Sequence, residues 1–131
     1  MGIDFTKGGA GDFENSAHWS YSGFNDFRAR LAADIGIKLG EMEGFTFITR
    51  IGGGIESEPK SWDKVSDLIK PFLDHSDCDG QLSAEECGAI APRLRELVAN
   101  WPKQDYDSVK ALTLAGNMEE CARDGVALIF C

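Results

Sequence analysis
The chain has 131 residues and a mass of 14.3 kDa, the size of one domain, and a 43% hydrophobic share with eight Phe and three Trp is enough to fill one core without disulfide support. Twenty-two acids against thirteen bases give a net charge of −9 and a pI near 4.6, a field that repels nucleic-acid phosphates and anionic lipid. Direct nucleic-acid binding and membrane association are therefore not expected. No basic n-region precedes an apolar run near Met1, and no segment approaches the roughly 18 apolar residues of a bilayer span. These features lead us to expect a cytoplasmic protein with free thiols at Cys78, Cys87, Cys121 and Cys131.

Taken in chain order, Ile3–Thr6 reads as a short strand, and the Gly-rich residues 7–17 read as a loop within a partly flexible N-terminal segment, 1–17, of the single domain. His18, Trp19 and Tyr21 form an aromatic cluster of the kind that fills cores. Ser22 is placed to cap a helix carrying Phe24, Phe27, Leu31 and Ile35 at helical spacing, with Gly36 as its stop. Phe45–Ile51 reads as a strand followed by a flexible Gly52-Gly53-Gly54 turn, which lacks the order of a phosphate-binding loop.

Ser61 opens a run in which Trp62, Val65, Leu68, Ile69, Phe72 and Leu73 recur every three or four residues, predicting a helix whose last turn Pro71 distorts. Ser83 with Glu86 is a capping box, and Cys87, Ile90, Ala91, Leu94, Leu97, Val98 and Trp101 trace one face of a helix beyond it. Pro92 predicts a kink in that helix and Pro102 ends it. Asp105 or Asp107 caps a final helix with Ala111, Leu114, Ala115, Met118, Cys121 and Ala122 on one face, and Gly125 stops it. Val126–Phe130 is an apolar strand that needs a partner, either Phe45–Ile51 or Ile3–Thr6. The expected fold is α+β: a mainly helical single domain of about four helices with a small sheet and an EF-hand-like helix–loop–helix at 61–101.

The charge is uneven, with residues 66–131 holding twelve acids and six bases, and Asp74–Glu86 holding five acids and no base. Aligned on Gly80, residues 75–86 resemble the twelve-residue calcium loop of the EF-hand family, which would put Asp77, Asp79, the Gln81 carbonyl, Ser83 and Glu86 among the ligands and Leu82 in the core. His75 stands where a carboxylate belongs, starting at Asp74 makes the loop one residue too long, and no second loop is present to pair with. Turn and cap chemistry alone selects most of the same residues without an ion. A transition-metal site would draw instead on His75, Cys78 and Cys87, with Cys121 or Cys131 as a fourth ligand, although the spacing matches no common zinc motif. A Cys78–Cys87 disulfide would need an oxidising compartment.

No nucleophile elbow, P-loop or HExxH motif occurs, and no cysteine stands at a known catalytic distance from a histidine, so an enzyme is not expected. The runs Trp19–Phe24, His75–Gly80 with Glu85-Glu86-Cys87, and Ala91–Val98 followed by Trp101 resemble a family of small acidic proteins of actinobacteria and their phages, over residues 19–130. The resemblance implies a bacterial or phage-encoded cytoplasmic protein in which His75 and Cys78 are regular features, and it implies no particular activity. The leading expectation is a monomeric or weakly dimeric interaction protein that presents an acidic helix–loop–helix to a basic protein partner. The alternatives are a weak calcium module and an acidic nucleic-acid mimic that occupies a basic host protein.

Overall fold
The structure is a computed structural model that describes residues 2–8, 13–42, 60–75 and 80–131. Its elements in chain order are β1 (Ile3–Lys7), β2 (His18–Trp19), α1 (Tyr21–Asp34), two 3-10 turns (Leu39–Glu41 and Trp62–Lys64), α2 (Lys70–Leu73), β3 (Gln81–Leu82), α3 (Ala84–Val98), α4 (Tyr106–Asp124) and β4 (Leu128–Phe130). This is the mainly helical α+β architecture that the periodicities predict. The strand expected at Phe45–Ile51 and the turn at Gly52–Gly54 lie outside the described residues.

The four strands form one antiparallel sheet in the order β2-β1-β4-β3. The apolar strand at the C-terminal end pairs with β1, Phe5 opposite Phe130 and Lys7 opposite Leu128, so Ile3–Thr6 is its partner of the two candidates. Alternation along the strands turns Ile3, Phe5, Trp19, Leu82, Leu128 and Phe130 inward, where they meet Phe24 and Phe27 of α1 and Phe72 of α2. Trp19 stacks on Phe27 at 4.5 Å, and Phe24 meets Phe5, Phe72 and Phe130 edge-on. Each such side chain contributes about 1.5–3 kcal/mol through burial. Of the cluster at His18, Trp19 and Tyr21, only Trp19 is core; His18 and Tyr21 are exposed.

α3 and α4 form the main helix pair. Gly88 lies at their crossing, where an added Cβ would sit 3.5 Å from Ala122 Cβ, and α4 ends on Gly125 in the left-handed conformation at φ +69°. Several boundaries differ from expectation. Ser20, not Ser22, caps α1 by accepting from Gly23 N, and α3 stops at Val98, three residues before Trp101.

The largest correction concerns residues 61–73, where no continuous helix forms. Ser61 caps only a 3-10 turn, an irregular segment follows, and α2 is a single turn that Pro71 starts rather than distorts. Asp67 explains the break. Its carboxylate accepts from Ile69 N at 3.0 Å and takes a bidentate ion pair from Arg93 of α3, which turns the chain outward, exposes Leu68 and buries Ile69. The EF-hand-like helix–loop–helix at 61–101 is thus reduced to one long exiting helix with a one-turn entry. Among the described residues no helix is long and apolar enough to cross a membrane.

Candidate functional site
The acidic segment between α2 and α3 is held at its base by Arg28 and His75. Arg28, 1% exposed on the inner face of α1, donates through Nη1 to the carbonyls of Leu73 and His75 and stacks 4.7 Å over Phe24. It thereby pins the chain where it leaves α2. Its position between Phe24 and Leu31, at i+4 and i−3 on the apolar stripe, was the signal that could have shown it pointing inward.

His75 closes the other side. Its ring stacks on Phe130 with centroids 4.0 Å apart, and Nε2 lies 3.1 Å from the Gln81 carbonyl, which can only accept, so Nε2 carries the proton. Gly80 stands at φ +97°, where a Cβ would approach His75 Cε1 to 3.0 Å, and its carbonyl accepts from Phe130 N at 2.9 Å. β3 then pairs with β4, Gln81 opposite Ile129, and buries Leu82 as the loop anchor.

Ser83 and Glu86 form the full capping box: Ser83 Oγ accepts from Glu86 N at 3.1 Å and Glu86 Oε1 accepts from Ser83 N at 2.9 Å. Of the five calcium ligands read from the sequence, Gln81, Ser83 and Glu86 are therefore placed, each with an oxygen already accepting a local hydrogen bond. Asp77 and Asp79 lie outside the described residues, as does Cys78. Among the described residues no three His, Cys, Asp or Glu side chains are grouped so as to hold a metal ion. Cys87 and Cys121 are free and buried, Cys131 is free and exposed, and burial pushes the Cys87 thiol up to about 12, far from a reactive thiolate at neutral pH.

The charge around the segment has a distinct pattern. Several acids elsewhere are matched by bases, Asp67 with Arg93, Asp105 and Asp107 with Arg30, Glu119 with Arg95, and Glu120 and Asp124 with Lys7 and Arg123, while Glu14, Asp26, Asp34 and Asp63 stand apart from any described base. Asp74, Glu85 and Glu86 make no ion pair with any described base. Partial burial pushes the Asp74 carboxyl up, against the pull of Lys70 and His75. Beside Glu85 and Glu86, a shallow cleft of about 330 Å³ opens between the irregular segment and α3, lined by the apolar Val65, Leu68, Pro71 and Ile90 together with Asp67 and one base, Lys70. No family model matches the chain, and neither a curated protein nor a solved structure matches it.

Proposed function
We propose that this is a non-enzymatic binding protein that engages a basic partner at the acidic end formed by α2, the turn at Gly80 and the first turns of α3. The observation that carries this reading is local. Asp74, Glu85 and Glu86 make no ion pair with a described base, whereas Asp67 and Glu96 on either side of them are held by Arg93, which leaves their charge for a partner. The adjoining cleft offers an apolar anchor, and a segment that alternates Lys or Arg with Leu or Ile has the chemistry to use both.

A labelled peptide alternating Lys and Leu, titrated by fluorescence anisotropy, is the direct probe. Glu85→Lys should weaken binding by about tenfold or more, while Asp26→Lys, an equal charge change at an exposed position of α1, should change it by less than about threefold. Equal losses from the two variants, or equal affinity for a peptide with Ser in place of Leu, would sink the reading.

Calcium is the second reading, favoured by the left-handed Gly80 and the buried Leu82 that the resemblance requires at the turn and the anchor. Glu86→Gln separates it from capping, because Gln still accepts from Ser83 N but offers no bidentate carboxylate. Calorimetry should show heat on adding calcium to the wild type and none with the variant. No heat in either removes calcium.

A further inference from the structure
Among the described residues, the outer face of α4 carries three of the five exposed large apolar side chains. Tyr106, Val109 and Leu112 are 54%, 48% and 46% exposed, more than large apolar side chains usually are. The polar groups among them are satisfied within the molecule: the Tyr106 hydroxyl donates to the His18 carbonyl at 2.8 Å and the Thr113 hydroxyl to the Val109 carbonyl at 3.1 Å. Two turns beyond Val109, and so on the same side of the helix, stands Gly116, where an added Cβ would meet no atom within 4 Å. Val109 is a knob and Gly116 a notch on one face.

The charges on this face permit two acidic molecules to meet. From Ser108 to Met118 there is no acid, and Lys110 lies at the edge over the Tyr106 ring. The acids that an antiparallel neighbour would bring toward Tyr106 are Glu119 and Glu120, and those they would meet there, Asp105 and Asp107, are held by Arg30. Glu119 and Glu120 are already neutralised, the first by Arg95 and the second by Lys7 and Arg123. Elsewhere a second chain of charge −9 would meet uncompensated acids such as Asp74 and Glu85.

We propose that the protein forms a symmetric homodimer through this face, α4 packing antiparallel to its copy about a two-fold axis near Leu112 and Thr113. Antiparallel pairing places each Val109 over the Gly116 of the other chain. One face thus supplies both halves of the contact, as an isologous interface requires. The glycine lets the two helix axes approach to the short end of the usual 8–10 Å range. The basic-partner surface is a separate one, so the two proposals stand or fall independently.

Sedimentation velocity over a concentration series tests it. The wild type should pass reversibly from monomer to dimer at or below about 1 mM. Leu112→Glu, at an exposed position, should leave the circular dichroism unchanged and weaken the dimer at least about tenfold. Gly116→Leu fills the notch and should weaken the dimer comparably while raising the melting temperature of the monomer, because it replaces glycine inside a helix. A wild type that stays monomeric to about 1 mM overturns the proposal and leaves the face to a different protein. A dimer that survives both substitutions also overturns it, since another surface would then hold the copies together.

Discussion

Gly80 holds φ +97°, a conformation that costs an L residue about 1–2 kcal/mol, and the site its Cβ would take is 3.0 Å from His75 Cε1. Gly80→Ala should therefore destabilise the protein by about 1–3 kcal/mol in urea unfolding. Part of that cost is steric and part is backbone, and the two separate cleanly. In a His75→Ala background the clash is gone while the backbone penalty stays, so the same substitution should cost less. Equal costs in both backgrounds would show that the imidazole does not crowd the turn. Asp74 argues in the opposite sense. Its carboxyl is raised by burial, so it favours folding most when protonated and loses that advantage as pH climbs through its folded pKa. Asp74→Asn should accordingly raise the melting temperature slightly at pH 7 and make no difference at about pH 3, below the ordinary carboxyl range. A loss of stability at pH 7 would mean that the carboxylate is an acceptor rather than a burden.

α3 owes its start to the reciprocal bonds of Ser83 and Glu86, and with Glu85 and Glu86 in the first turn its N-terminal dipole is also matched. Ser83→Ala should cost about 1 kcal/mol by chemical denaturation, and Ser83→Asp, which can still cap, clearly less. An alanine variant as stable as the wild type would remove the cap from the stability argument. α3 and α4 were legible in the sequence because their apolar stripes persist over several turns and their ends carry Ser83, Asp105 and Gly125. The stripe from Trp62 to Leu73 had the same spacing but not the same outcome. There the deciding interaction joins Asp67 to Arg93, 26 residues away, and no local periodicity encodes it. That β4 needs a partner was legible in its apolar run, and β1 was one of two candidates for it. The closure at Gly80 did not, since His75 meets Phe130 across 55 residues, and its sequence position suggested a ligand rather than a stacked latch. Arg28 was hidden for a related reason: its partners are main-chain carbonyls, which every sequence offers and none advertises.

Over the whole molecule, two opposing electrostatic terms set the response to pH. The net charge of −9 repels itself at neutral pH, so partial protonation below pH 7 relieves the folded state. Against this stand carboxylates that folding holds below their ordinary range: Asp67 by Arg93 and the Ile69 N–H, Glu119 by Arg95, and Asp124 by Lys7. A depressed carboxyl contributes stability that is fully present above its unfolded pKa, about 3.9 for Asp, and is lost as pH falls through the lower folded value. Stability should therefore be level or rise slightly from pH 7 to about 5 and fall below about 4, and added salt should raise it at pH 7 by screening the repulsion. Asp67 is the informative member, because its pair with Arg93 is only about one-fifth exposed, with side-chain exposures of 19% and 24%, and screening removes less of it. Asp67→Asn keeps an oxygen for Ile69 N but loses the charge, and should cost about 1–2 kcal/mol at pH 7. Urea midpoints for wild type and variant should then converge as pH falls from about 4 to about 2, because protonating Asp67 makes the wild type resemble the variant. Parallel curves across that range would assign the loss to packing rather than to the ion pair that breaks the helix at 61–73.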